Sequence, residues 1–471
     1  MKKQTKNMTE GTPLILILQF ALPLLAGNLF QQLYNMVDAI IVGRFLGPRA
    51  LAGVGASSSV QFLVIGFCLG ICSGFAIPVA QRFGAGDYTD MRKYIFHGII
   101  VTAAVAVVVT TLTAIYCPQI LNLMRTPSDI YQDAYTYLLI IFLGIPFTLL
   151  YNFLAGVLRA IGNSRTPFYF LVFSTLLNII LDVLFIVVFG MGVAGAGLAT
   201  IIAQAASGVL CFLLIKFKYE ILRLKREDCK WNQKHFQYLV AMGVPMGLQY
   251  SITAIGSMVL QATNNDLPAV EESMRSVYVS AFAAGSKIKQ LTMCPFDALA
   301  NSVSTFASQN YGAGKADRIK KGVRQGVAIG MLYGLLIGIV MIFFGRGMST
   351  MFIKLDADDL AFTTAVLDAS GLYLRRLGMF YWSLGILNVT RMTVQGLGYS
   401  AWTLFSGISE MIARIVVSLC FAPIFGFGAI TFADQAAWLS AVAYILPACI
   451  HFMNKVAKQL EGQQNSSIAA E

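Results

Sequence analysis

Gln81-Arg82-Phe83-Gly84-Ala85-Gly86 is read again, 228 residues later, as Gln309-Asn310-Tyr311-Gly312-Ala313-Gly314. Its surroundings repeat with it, because Arg92, Lys93 and Gly98 return at the same offset as Lys320, Lys321 and Gly326. Further along, Gly162, Gly190 and Gly192 return as Gly398, Gly426 and Gly428 at an offset of 236, while Pro23 returns as Pro245 at an offset of 222. Glycine and proline mark turns, kinks and close backbone approaches, so their recurrence in order marks a recurring fold. The drift from 222 to 236 needs only small loop insertions. Residues 1–215 and 237–471 therefore read as two copies of one unit, with 216–236 as the linker between them.

Composition says what solvates that unit. Of the 471 residues 57% are hydrophobic and only 12% are charged, about half the charge of a soluble domain, and the mean hydropathy is +0.69. Disorder is excluded by the same figures. A spanning helix needs about 20 largely apolar residues, and that window finds twelve, at 14–42, 52–80, 95–117, 132–158, 167–189, 193–215, 237–261, 276–308, 322–345, 367–390, 401–425 and 430–453. The expected fold class is thus all-α integral membrane, twelve transmembrane helices in two pseudo-symmetric six-helix bundles. Six is even, so both copies face the same way and their symmetry axis runs along the membrane normal. The polar start followed by a long apolar run reads as a retained first helix, not a cleaved signal.

The charges fix an expected orientation. With the N-terminus inside, 23 Lys and Arg fall in inside segments, among them Lys2, Lys3 and seven from Lys216 to Lys234, against 6 outside, among them Arg125 and Lys354. That asymmetry predicts both termini on the cytoplasmic side, and it accounts for the net charge of +11 without any nucleic acid.

Ionisable groups at membrane depth are costly and mark function by default. Four acids lie well inside predicted spans: Asp38, Asp182, Asp297 and Glu410. Counting at 1.5 Å per residue, Asp38 sits roughly 6 Å from the outer end of its helix, and Asp182 and Thr200 roughly 10 Å from theirs. Asn178 shares a helix face with Asp182 by i, i+4 spacing. These groups converge in the outer half of the first bundle. Carboxylate, amide and hydroxyl oxygens suit a hard cation such as Na+, with Asp38, Asn178 and Asp182 as its candidate ligands. Burial also disfavours the charged form of a carboxylate, which suits a proton carrier. The plainer alternative is a polar cluster that ties helices together. Glu410 and Arg414, again i, i+4, read either as a neutralising pair or as the wall of a substrate cleft. Asp297, one turn after Met293, either faces that cleft or pairs with Lys287, Lys289 or Arg414. Gln31, Gln32 and Asn35 either line the cleft or hydrogen-bond between helices.

Enzyme signatures are missing. Lys315 follows Gly312-Ala313-Gly314, but Gln309 and Ala316 break the phosphate-loop spacing, and no zinc-protease or nucleophile-elbow motif is found. The eight cysteines read as buried small hydrophobes. The expectation is no enzyme and no cofactor beyond a coupling H+ or Na+.

At these residues the chain resembles the multidrug and toxic compound extrusion (MATE) family, most of all its MepA-like bacterial branch. The resemblance covers about residues 10–455. It is carried by Pro23, Val37-Asp38 with Val42-Gly43, Gln81 to Gly86 and its copy, Arg159 to Asn163, Asn178 with Asp182, and Gly192 to Thr200. It implies a V-shaped pair of six-helix lobes in the bacterial cytoplasmic membrane, exporting amphipathic, often cationic drugs against a proton or sodium gradient, and a monomer is expected. It also implies a first-lobe cation site at Asp38, Asn178, Asp182, Asn152 and Thr200. One departure is clear: the acids that some sodium-coupled branches carry in helices 7 and 10 are absent from 238–261 and 371–391.

The leading expectation is therefore a cation-coupled antiporter: outside cation binds Asp38 and Asp182, shifts helix 1 and lowers drug affinity. The alternative is a flippase for a lipid-linked precursor, which would want a strongly cationic cleft for pyrophosphate. A channel and an intramembrane enzyme are the remaining rivals.

Overall fold

Twelve apolar stretches separated by short polar turns can satisfy their backbone groups in a bilayer only as helices, and the computed structural model is helical throughout. It describes residues 6–124, 126–267, 272–353 and 359–468, and among them no strand occurs. Lys2, Lys3, Arg125 and Lys354, which entered the orientation reading, lie outside the described residues. The helices of the first repeat are α1 (Pro13–Phe45), α2 (Pro48–Gly84), α3 (Tyr88–Ile115), the short α4 (Cys117–Leu123), α5 (Tyr131–Leu143), α6 (Ile145–Ala160), α7 (Arg165–Asp182) and α8 (Val193–Lys218). Those of the second are α9 (Gln233–Asn265), α10 (Glu272–Gly312), α11 (Ala316–Ser349), α12 (Leu360–Met379), α13 (Trp382–Gly396), α14 (Ser400–Val416), the short α15 (Ala422–Phe425) and α16 (Phe427–Ile430), and α17 (Ala433–Ile468).

Each of the twelve predicted spans has its helix or broken helix, but not all are equally apolar. Among the described residues nine pass by length and hydropathy, and the pair α5 and α6 makes a tenth if counted as one span. The α10 helix and the α12–α13 pair are not among them; Lys287, Lys289 and Asp297 lie on the one and Arg375, Arg376 and Arg391 on the other. The span expected at 132–158 is not one straight helix. It bends by 46° between Leu143 and Ile145. Gly144 comes so close to α8 that a Cβ there would lie 2.4 Å from the Ile201 side chain, and Pro146 cannot continue the hydrogen-bond ladder. Large apolar side chains such as Leu123, Phe343, Phe344 and Ile424 stand outward, as lipid-facing surfaces do. Six cysteines are buried as expected, whereas Cys229 and Cys420 are exposed; the first lies in the polar linker and the second in a π-helical turn (Val417–Phe421).

The helices gather into two compact units. Of the described residues, the first holds those within 6–11, Leu22–Ser251 and Ser308–Gly314, and the second those within Thr12–Ala21, Ile252–Ala307 and 315–468. This division follows packing and differs from the repeat boundary at 216–236, because α9 begins inside the first unit. Lipid gives helices no hydrophobic reason to associate, so they pack where small residues let backbones approach. Gly70 and Gly74 of α2 meet Met246 and Gly243 of α9, and a Cβ on either would lie 2.6 Å from the α9 backbone. In the second unit Gly330, Gly334 and Gly338 of α11 run along Gly385, Trp382 and Gly378 in the same way.

The repeated motif closes on itself within the first unit. A Cβ on Gly84 would lie 2.0 Å from the Gln309 carbonyl oxygen, and one on Gly312 would lie 1.7 Å from that of Gln81. Each copy thus packs its glycine on the other's glutamine. The N-terminal segment is tied to the same place: the Met8 N–H donates to Gln309 Oε1 (2.8 Å), Gln309 Nε2 donates to the Ala160 carbonyl (2.8 Å), and Asn310 Nδ2 donates to the Met8 carbonyl (3.2 Å). The linker is equally well held. The Arg92 Nε donates to Asp228 Oδ2 at 2.6 Å, and the Asn232 N–H donates to His97 Nε2 at 2.8 Å.

Candidate functional site

In the first unit, α1 presents Tyr34 and Asp38 one turn apart, and α7 presents Asn178 and Asp182 at the same spacing, so each pair shares a face. Asp38 is 8% exposed, Asp182 is fully buried, and Asn178 and Thr200 are buried beside them. The two carboxyl groups lie within hydrogen-bonding reach of each other, and each keeps one buried oxygen, Oδ1, without a partner. With its amide oriented by its partners, Asn178 donates to Asp182 Oδ2 (2.9 Å) and accepts from the Thr200 backbone N–H (3.1 Å). The Thr200 hydroxyl donates to the Ala196 carbonyl (3.1 Å), which leaves Tyr34 to donate to Thr200 Oγ1 (3.0 Å). Tyr137 of α5 is an electrostatic neighbour of both acids and bonds to Gln61. Directly after Asp182 the helix passes into a π-helical turn, Val183–Val188, a local rewinding that is common at functional sites.

Two facing carboxylates cannot both be charged cheaply. Like unit charges 4 Å apart at an effective dielectric of 20 repel by about 4 kcal/mol. A shared proton or a bound cation removes that cost, and the two unpartnered oxygens are where such a cation would be held.

Asn152 is not in this cluster. Its Nδ2 donates to the Thr148 carbonyl at 2.8 Å, one turn back on its own helix. It lines instead a polar cavity of about 150 Å³, together with Gln31, Tyr34, Gln204, Asn178 and Thr200. That volume holds roughly five waters, and it reaches the carboxylate pair through Asn178 and Thr200. Of the residues expected in a cleft, Gln31 borders this cavity, Asn35 is exposed and Gln32 half-buried on α1.

The second unit holds a different polar centre. Glu410 is bonded by Arg391 through one oxygen and by Arg414 Nη1 through the other (3.4 Å). Arg414 Nε also donates to Asp434 Oδ1 (3.2 Å), while Asp434 Oδ2 takes Lys289 Nζ (2.6 Å) and the Tyr373 hydroxyl (3.1 Å). Glu410 and Arg414, 3% and 4% exposed, are thus members of a charge network and do not stand open. Met293 is half-buried and Asp297 exposed on α10. None of the three bases expected for Asp297 pairs with it: Lys289 and Arg414 serve Asp434, Lys287 is exposed, and the charged neighbour is Arg391.

The sequence reading overlooked Tyr34, Tyr137, Arg391, Tyr373 and Asp434, and offered Lys289 only as a partner of Asp297. Tyr34 carried a signal, since it precedes Asp38 by one turn. Asp434 carried another, five residues inside the last predicted span. Arg391, one residue past the predicted span 367–390, is buried on α13.

Comparison with known proteins settles the family. The sequence profile of the MatE family matches residues 23–184 and 245–420. The chain belongs to the MatE family. The two matches begin 222 residues apart and end 236 apart, the same drift as in the repeated glycines and prolines. Among curated relatives, "Probable multidrug resistance protein YpnP" of Bacillus subtilis (strain 168) is 32% identical over 83% of this chain and 84% of its own length. "Multidrug export protein MepA" of Staphylococcus aureus (strain NCTC 8325 / PS 47) is 23% identical over 55% and 58%. A solved MATE structure in the bent conformation aligns with a TM-score of 0.86 at 20% identity, covering 98% of this chain and all of that one. The protein is thus a multi-pass membrane transporter with the two-lobed, twelve-helix MATE fold, and not an enzyme.

Proposed function

We propose that the chain is a secondary active exporter of amphipathic, often cationic compounds, exchanging them by alternating access for H+ or Na+ bound at Asp38 and Asp182. The observation that carries this reading is the pair of facing, buried carboxyls, each with an unpartnered oxygen. Asn178, Thr200 and Tyr34 position the pair, and Asn152 acts through the adjoining polar cavity. The printed descriptions of YpnP and MepA as multidrug resistance and export proteins support the cargo class. The reading includes a monomer in the bacterial cytoplasmic membrane, both termini on the cytoplasmic side, and repeats 1–215 and 237–471 as the functional halves. A pyrophosphate-binding flippase is disfavoured, because the buried guanidinium groups of the second unit are already bonded to Glu410 and Asp434.

Reconstitution in liposomes tests this. Ethidium movement is followed under an imposed pH gradient and then a sodium gradient, with Asp38→Asn beside the wild type. Movement driven by one gradient and lost in the variant is the expected result. Movement that persists in Asp38→Asn would remove the carboxylate pair from the coupling step, and no movement under either gradient would remove the export reading.

A further inference from the structure

The second repeat has no copy of the carboxylate pair. By the offsets of 222 and 236, Asp38 corresponds to Leu260, Asp182 to Ser418 and Thr200 to Ala436. Asn178 corresponds to Arg414, Ser174 to Glu410 and Tyr137 to Tyr373. Local structure supports the correspondence. Gly162 and Gly398 both have positive φ, as do Gly190 and Gly426. A π-helical turn follows α7 at Val183–Val188 and α14 at Val417–Phe421. A tyrosine faces acids in both units: Tyr137 lies beside Asp38 and Asp182, and Tyr373 bonds Asp434.

We infer that the second unit carries its cation covalently: the Arg414 guanidinium takes the place that an exchangeable coupling cation takes in the first unit, with Glu410 and Asp434 as its acids, so that ion exchange is confined to Asp38 and Asp182. The inference rests on the cation-exchange reading of the first unit.

The contrast between the units is one of free valence. Asp38 and Asp182 each keep a buried oxygen without a partner. All four carboxylate oxygens of Glu410 and Asp434 are bonded to Arg391, Arg414 or Lys289. These two acids face three bases, so an added cation would find no open oxygen and no uncompensated negative charge. Asp297, the electrostatic neighbour of Arg391, brings the balance to three against three. A tethered cation cannot leave, so the second unit keeps its loaded geometry whatever gradient is imposed. Glu410 is then a counter-ion and is not available to a cationic drug.

The test uses the full chain, purified in detergent and followed by melting and by intrinsic tryptophan fluorescence. Arg414→Ala removes the cation and leaves room for a small one. Its melting temperature should fall by roughly 5–10 °C, as loss of one partner of a buried pair implies. Ethylguanidinium should restore most of that loss, and N-ethylurea, of similar shape but uncharged, should not. Arg414→Met fills the space without charge. If it melts like the wild type and keeps the wild-type ion response, no cation is needed there and the inference is overturned. Where Arg414→Ala yields no folded protein, Asp38→Asn decides: it should lose the Na+-dependent or pH-dependent fluorescence change of the wild type. A change that survives in Asp38→Asn and disappears on adding Glu410→Gln would show a second exchanging site and overturn the inference. None of these readouts needs drug movement, so a failure of the export reading would be seen separately in the ethidium assay.

Discussion

Alanine at Gly84 or Gly312 strikes the seam where the two copies of the repeated motif meet. The added Cβ would lie 2.0 Å from the Gln309 carbonyl oxygen in the first case and 1.7 Å from that of Gln81 in the second. Both obstacles are backbone, so no side chain can swing away. Restoring an ordinary contact requires the helix ends at the seam to separate by roughly 1.5 Å, and overpacking of that kind costs about 1–3 kcal/mol or more. Against this, Ala gains up to about 1 kcal/mol over Gly in a helix. The net expectation is a loss of about 1–2 kcal/mol for Gly84→Ala, and a larger one for Gly312→Ala. Gly86→Ala is the control: its φ of +75 strains any side chain but its surroundings are open, so it costs about 1–2 kcal/mol without parting the seam. Melting ranks the stabilities, and limited proteolysis between Met8 and Gly11, a segment tied to the same seam, separates the two effects. Gly84→Ala and Gly312→Ala should expose that segment and Gly86→Ala should not. Seam variants that melt at or above the wild-type temperature, with the segment still protected, would refute the close backbone contact.

Three further outcomes are expected. Burial alone would push the Asp228 carboxyl up, but the hydrogen bond from Arg92, the Lys225 N–H and the charges of both residues hold it below the usual carboxylate range. Its stabilisation is therefore complete above about pH 4 and is lost as pH falls through its lowered value; Asp228→Asn should cost about 2–3 kcal/mol and speed tryptic cleavage of the linker at neutral pH, and an unchanged cleavage rate would contradict the latch. Tyr34→Phe removes the donor to Thr200 and should weaken ion-driven ethidium transport by about five- to tenfold, the equivalent of one hydrogen bond, while leaving melting nearly unchanged; a large melting loss would make Tyr34 structural instead. Glu410→Gln strips a buried acid from two arginines and should destabilise by about 3–5 kcal/mol, whereas Asp297→Asn, on an exposed side chain, should cost far less; equal melting losses would count against the network.

Much of this was written in local order. The twelve spans are legible because lipid leaves helices as the only way to pair every backbone group, so composition over about 20 residues suffices. The duplication is legible because glycine and proline are placed by backbone geometry. Asp38 stood out as an acid at depth, and Asn178 with Asp182 as a pair one turn apart, a spacing that needs no knowledge of neighbouring helices. Helix breaks were less legible: the bend at Gly144 depends on how closely Ile201 of α8 approaches, which a hydropathy window does not contain.

What only the tertiary structure decided is which groups face each other across helices. Asn152 has the right chemistry, yet its amide turns to Thr148 and it borders the cavity instead of the acids. Glu410 and Arg414 are visible as a pair, but Arg391 and Asp434 complete them from 19 and 20 residues away. The sequence by itself determined a duplicated twelve-span transporter with acids buried in its first half. Whether an acid is left open to a cation or closed by an arginine was decided by the rotation and approach of packed helices, because a charge at membrane depth takes its partner from whichever side chain the packing brings within reach.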